Sequence, residues 1–274
     1  MFISENTNFK EKTLESKIPK VMGILNVTPD SFYDGNKYLS IQNAVSRVGE
    51  MIQEGASIID IGGMSSRPGS DFVSTNEEIK RVLPVLEVVR EKYPDILISV
   101  DTFNSELAEK SLQIGADIIN DISAGELDEK ILDVVSKYNA PYIFMHMKGI
   151  PKNMQNDTKY VDVVADVLKY LMIKIRKFRS RGINKLIADP GFGFGKSIED
   201  NFSLLNNLDV FQLLEIPILV GVSRKSMLYK SLGITPVQSL NATTIANTIA
   251  LMNGANILRV HDVKEAVEVV RLLY

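Results

Sequence analysis

The sequence predicts an α/β fold, a (β/α)8 TIM barrel in a single domain, and three observations carry that prediction. Short apolar runs rich in β-branched residues alternate with helical patterns along the chain, the mark of a parallel sheet covered by helices. Eight such runs occur, more than an open doubly wound sheet usually holds, and the turn over 23–30 lacks the glycine-rich dinucleotide fingerprint of that alternative. The phrases EGASIID, IGADIIND and NGANILRV repeat one joint, in which a helix stops at glycine, turns through alanine and enters a strand.

Strands are expected at 21–27, 57–61, 96–100, 117–122, 141–147, 185–188, 218–222 and 256–260. Helices are expected at 41–54, 76–92, 105–114, 128–137, 159–181, 239–253 and 262–272. In the first helix Val45, Val48, Met51 and Ile52 make an apolar stripe that stops at Gly55. Ser105 with Glu106, and Asp128 with Glu129, set acids at helix starts, where free N–H groups favour them. Residues 1–19 read as an N-terminal arm, and Pro19 announces the first strand of a barrel domain over 20–274. A length of 274 residues without a break in composition suits one such barrel.

Composition narrows the chemistry. The chain has no cysteine and only His146 and His261 as histidines, which excludes disulfides, thiolate metal sites, a cysteine nucleophile and a histidine-rich metal cluster. A net charge of −3, with no stripe of Lys and Arg, gives no sign of a nucleic-acid partner. No apolar run reaches the roughly 18–20 residues that cross a bilayer, so no membrane association is expected. The opening segment is too polar for a secretory signal, and the cytoplasm is the expected compartment.

In a barrel of this kind the chemistry sits at the carboxyl ends of the strands. Those positions are Asn26, Asp60, Asp101, Asn120, Met145, Asp189, Lys225, and Arg259 with His261. All but Met145 are polar. Any one of them has a plainer reading, since Asp and Asn also favour turns and helix caps. Asn120 and Asp121 must point to opposite faces, so at most one lines the site. Asp101, Asp189 and Asn120 can read a flat heterocycle rich in N–H donors, because a carboxylate accepts two parallel N–H bonds. Lys225 can donate to that ring and Met145 can pack on its face, although a solvated surface lysine is the plainer alternative. Arg259 and His261 precede a helix start, where an anion is favoured. With Asn26 they can hold a diphosphate, with Mg2+ as its cation; a structural ion pair is the alternative for Arg259.

Two polar, glycine-rich loops, 28–36 and 62–70, read as lids, with an aromatic and an arginine suited to a second substrate. The irregular segment 147–159 receives no role.

From Val21 to the carboxyl terminus these motifs resemble the dihydropteroate synthases. The matching blocks are GILNVTPDSF (23–32), SSRPG (65–69), SVDTF (99–103), INDI (119–122), MHMKG (145–149), DPGFGFGK (189–196), SRKS (223–226) and RVHDV (259–263), in the family's order. The resemblance implies condensation of 6-hydroxymethyl-7,8-dihydropterin diphosphate with p-aminobenzoate, giving 7,8-dihydropteroate and diphosphate in folate biosynthesis. It implies that Asp101, Asn120, Asp189 and Lys225 hold the pterin, with Met145, Phe194 and Gly221 lining its slot. It implies Asn26, Arg259 and His261 at the diphosphate, and Asn26 at Mg2+. Phe32, Ser66, Arg67, Pro68 and Ser226 would surround p-aminobenzoate, the compound that sulfonamides imitate. Asp101, Lys225 and Arg259 are the expected catalytic residues, and a homodimer acting on small molecules is implied. A dissociative substitution fits the residues: diphosphate departs, the pterin cation is stabilised, and the neutral aniline nitrogen attacks without a strong base.

The chain departs from the family at Met64, where a glutamate is common, at Ser66, where threonine is common, and at Tyr33 and Asn36 in the first lid. A fused pterin kinase or aldolase is not expected in a chain of this length. Two other readings are a corrinoid methyltransferase using methyltetrahydrofolate and a non-catalytic pterin-binding paralogue. The first has no need of Arg259 and His261, and the second is expected to lose lid or anion residues that are present here. Asp60 and Asp121 are left without a role.

Overall fold

A computed structural model describes residues 18–27, 37–64, 73–149 and 158–274. Eight strands run along it: β1 Lys20–Asn26, β2 Ile58–Gly62, β3 Leu97–Asp101, β4 Ile118–Asp121, β5 Tyr142–Met145, β6 Leu186–Asp189, β7 Leu219–Val220 and β8 Ile257–Val260. All pairings are parallel, in the spatial order β6-β5-β4-β3-β2-β1-β8-β7. A parallel bridge between Ala188 and Ile218 joins β6 to the lead-in of β7 and closes the ring. The expected single-domain TIM barrel is therefore the fold.

The helices outside the barrel are α1 Lys37–Glu54, α2 Thr75–Lys92, α3 Ser105–Ile114, α4 Lys130–Tyr138, α5 Val163–Ser180, α6 Ile198–Asn206, α7 Ser226–Ser231, α8 Leu240–Met252 and α9 Val263–Leu273. The short α6 and α7 are not among the expected ranges. α6 nevertheless carries a start signal, a capping box in which Ser197 and Asp200 satisfy each other's backbone N–H groups. The helix-to-strand joints behave as their repeats suggest: the glycines of EGA, IGA and NGA all have positive φ, at 104°, 119° and 93°. The seventh strand is shorter than expected. Before it, Ile218 N–H donates to the Asn256 side chain at 2.8 Å; after it, Lys225 N–H returns to the Val222 carbonyl at 3.1 Å, already a turn.

Two apolar layers hold this arrangement. The larger fills the space between strands and helices, with Val48, Met51, Leu86, Leu132, Phe178 and Phe211 among its buried members. The smaller is the barrel interior, where each strand gives one side chain: Met22, Ile58, Leu97, Ile118, Ile143, Ile187, Leu219 and Ile257. This plug sets the depth of everything above it, because alternation brings every second residue to the same face. Among the described residues no helix is long and apolar enough to cross a membrane.

Candidate active site

Two residues beyond the apolar plug, the inward positions are Ile24, Asp60, Ser99, Asn120, Met145, Asp189, Gly221 and Arg259. An oily plug thus carries a largely polar floor, open toward the carboxyl ends of the strands. One further step along the same face gives Asn26, Asp101, Ile122 and His261. Asp121 points the other way, accepting from Ser123 N, Gly125 N and the Tyr142 hydroxyl, so its work is structural.

Arg259 lies at the centre of the floor. Its Nε donates to Asp60 Oδ2 at 2.6 Å and an Nη donates to Asp101 Oδ2 at 2.7 Å. Asn120 Nδ2 donates to the same Asp60 oxygen at 3.1 Å. Asp60 is fully buried, and its other oxygen has no hydrogen-bond partner. Burial opposes the charge of Arg259, but Asp60 and Asp101 outweigh it and hold the guanidinium cationic. Burial pushes Asp101 up to about 7; Arg259 opposes that rise, and Asp60, Glu78 and Asp121 reinforce it. The ion pair that stood as the alternative for Arg259 is thus present, and it joins the two halves of the expected site.

Beside it, an apolar cluster meets a second group of charged side chains. Ile122, Met145 and Phe194 form a small buried cluster, with Phe103 and Met147 packed against it. Lys225 Nζ sits 4.8 Å from the centre of the Phe194 ring and donates to the Phe192 carbonyl. Burial lowers Lys225 to about 8, with Asp189 pulling the other way, so this is no solvated surface lysine. Asp189 is raised by burial, while Lys225 and the Gly191 N–H favour its charged form. That N–H reaches Asp189 Oδ1 at 2.7 Å. Gly221 leaves room between the two cations: a Cβ there would lie 3.9 Å from Arg259 Cβ and 4.0 Å from Lys225 Nζ.

The rim is built by β8 and the turn after β7. His261 Nδ1 lies 3.0 Å from Ser223 Oγ, which also accepts the His261 backbone N–H at 3.2 Å. Arg224 adopts a left-handed backbone, φ 55°, and its side chain leaves the mouth to pair with Asp262 at 2.6 and 3.0 Å. Residues on either side of such a twist, Ser223 and Lys225, are free to face the site. Asn26 is exposed at the end of β1, in register with Gly62, which in turn pairs with Asp101. Ser226 opens α7. Phe32, Ser66, Arg67 and Pro68 lie outside the described residues.

Two residues of this site receive no role from the sequence. Asp60 is one: it stands among the strand-end positions, but its partnership with Arg259 appears only in the fold. Lys196 is the other, at the end of DPGFGFGK: buried, it donates to three main-chain carbonyls. His146, the second histidine, is not part of the mouth; burial first, then Lys196, lowers it to about 3.

A family model described as a pterin binding enzyme matches residues 22–261. The chain is 46% identical to the dihydropteroate synthase of Escherichia coli strain K12 over 264 residues, covering 95% of this chain and 93% of that protein. To the dihydropteroate synthase of Haemophilus influenzae it is 44% identical, covering 92% of each. The structure of Yersinia pestis dihydropteroate synthase with a sulfonamide drug matches at a TM-score of 0.88 and 42% identity, covering 95% and 94% of the two chains. That of the Xanthomonas albilineans enzyme in complex with 7,8-dihydropteroate matches at 0.84 and 37%, covering 94% and 93%. With agreement running through the whole barrel, the chain belongs to the pterin-binding enzymes and, within them, to the dihydropteroate synthases.

Proposed function

We propose that this chain is a transferase of folate biosynthesis, condensing 6-hydroxymethyl-7,8-dihydropterin diphosphate with p-aminobenzoate to 7,8-dihydropteroate and diphosphate. The observation that carries this reading is the grouping itself: buried Asp189 and half-buried Lys225, with Met145 and Phe194 beside them, and Arg259 next to Lys225 across Gly221. A flat ring with a guanidine-like edge matches those groups. Asp189 accepts the edge N–H donors, Asn120 and Asp101 read the remaining polar atoms, and Lys225 donates to the ring oxygen or nitrogen. Residues 20–274 form the pterin-binding barrel domain in this reading, and 1–19 an arm.

The bond between the pterin methylene carbon and the diphosphate oxygen breaks first. Arg259 and His261 take the departing charge, and Asp101 and Asp189 face the cation left on the pterin. The aniline nitrogen of p-aminobenzoate then bonds to that carbon and releases a proton to water. Phe32, Ser66, Arg67, Pro68 and Ser226 hold p-aminobenzoate, the place a sulfonamide would take. Asp60 orients Arg259 and Asn120.

The donor set suits a Mg2+ ion that arrives with the diphosphate. Asn26 offers one carboxamide oxygen at the exposed end of β1, and among the described residues no three His, Asp or Glu side chains converge on a metal. Mg2+ commonly keeps water and substrate phosphate oxygens as its other ligands. When bound there, it supplies charge neutralisation to the leaving diphosphate. The working form is read as a cytoplasmic homodimer with small molecules as its partners.

The test is diphosphate release by the pure protein with Mg2+ and the pterin diphosphate, with and without p-aminobenzoate. Release that requires p-aminobenzoate is expected, and no release in either mixture would sink the reading.

A further inference from the structure

Lys196 stands where a lysine is poorly placed. It is only 3% exposed. It precedes Ser197, the N-cap of α6, whose amino-terminal end carries partial positive charge and whose first turn accordingly holds Glu199 and Asp200. Burial pulls its ammonium down to about 7, with Asp189 and Asp200 opposing. A surface residue would avoid all of this, so something local must repay the burial.

The repayment is a complete set of acceptors. An ammonium has three N–H donors, and Lys196 Nζ reaches Gly191 O at 2.8 Å, Phe194 O at 3.1 Å and His146 O at 3.3 Å. These carbonyls come from two separate segments, the turn after β6 and the chain leaving β5. Each belongs to a residue tied to the slot. The Gly191 N–H is held by Asp189, and the Phe194 N–H by the Gly191 carbonyl at 3.2 Å. The Phe194 ring faces Lys225, and the His146 N–H donates to the Asp189 carbonyl at 3.1 Å. Gly191 permits the close approach: its φ is 75°, and a Cβ there would collide with the His146 carbonyl oxygen. Carbonyls brought together this way repel one another unless a donor sits among them.

We propose that Lys196 is a positioning residue for the pterin half of the reaction, its ammonium gathering the carbonyls of His146, Gly191 and Phe194 and so setting Asp189 and the Phe194 ring for the pterin. It touches neither substrate. Its side chain acts on one wall of the slot only; the Arg259 hub and the rim lie on other strands. The prediction is therefore selective, affecting the pterin and sparing p-aminobenzoate.

Lys196→Met keeps the stem and removes the charge, and Lys196→Gln keeps a shorter, neutral donor. In folded variants we expect KM for the pterin diphosphate, and its calorimetric Kd, to rise about tenfold while KM for p-aminobenzoate stays within about twofold. Melting temperature is read alongside, since a purely structural residue would lower it and raise both KM values together. Pterin affinity matching wild type, parallel loss for both substrates, or failure of both variants to fold would each overturn the proposal. The inference rests on the pterin reading of the slot. Wild-type protein that fails to bind the pterin diphosphate would sink that reading, whereas wild-type binding matched by both variants sinks only the role of Lys196.

Discussion

Arg259 and Asp60 lie 199 positions apart in the chain, yet Arg259 Nε donates to Asp60 Oδ2 at 2.6 Å in the floor of the barrel. The contact follows from register. β8 and β2 both flank β1, with Met22 paired to Arg259 on one side and to Ile58 on the other. Two residues beyond Ile58, Asp60 returns to the inner face at the height of the guanidinium. The pair sets the angle at which Arg259 meets Asp101 and any anion at the mouth.

Asp60→Asn tests that role. It keeps the shape and removes a buried partner of Arg259, which typically costs about 3 kcal/mol. We expect a lower melting temperature and a fall in kcat/KM for the pterin diphosphate of roughly tenfold or more. Steady-state kinetics beside thermal melting checks this, and unchanged turnover would remove Asp60 from the site.

The pH profile follows from two half-buried groups. Asp101, raised to about 7, is protonated below that value and cannot then accept two N–H bonds. Lys225, lowered to about 8, loses its charge above that value. For the free enzyme, kcat/KM for the pterin diphosphate should rise with pH through the first value and fall through the second. Lys225→Arg, with a group that stays charged, should lose the alkaline fall even if its activity is low. A wild-type profile flat between about pH 6 and about pH 9 contradicts the assignment.

The division of labour between substrates is separable by mutation. Asp189→Ala should abolish pterin binding in calorimetry. Arg67→Ala should instead raise KM for p-aminobenzoate and leave pterin affinity nearly intact. Equal losses for both substrates in both variants would mean that the two sites are not distinct.

Asp121 supplies a control. Its Oδ2 accepts the Tyr142 hydroxyl at 2.7 Å, both groups being buried on the outer face of the strands. Tyr142→Phe leaves that charged acceptor one donor short, at a cost of about 1.5–3 kcal/mol. For a chain of this size that is a drop in Tm of roughly 3–10 °C, with KM for either substrate unmoved at low temperature. Scanning calorimetry with an activity assay reads both.

Much of this was legible in the sequence because two periodicities carry it. Three glycine joints announce returns to a strand, and alternation along the strands already sends Asn120 and Asp121 to opposite faces; the fold shows that Asn120 is the inner one. Asp60 was readable as a strand-end residue, but its role as a partner of Arg259 was not, because that contact joins β2 to β8 across β1. Lys196 was not readable. Nothing in GFGFGK says that three carbonyls will converge on its ammonium, since they come from segments about 50 residues apart that meet only when β5 and β6 pair. The pairing of Arg259 with Asp101 was likewise hidden, because it depends on which strands lie across the mouth. Strand ends show which residues reach the rim; contacts between them need the closed ring.

The most direct test is a crystal structure of the protein with the pterin diphosphate bound. The N–H edge of the pterin should lie within hydrogen-bond distance of Asp189, its ring between Met145 and Phe194, and its diphosphate against Arg259 and His261. A pterin seated elsewhere, or reversed so that diphosphate lies at Asp189, would contradict the account.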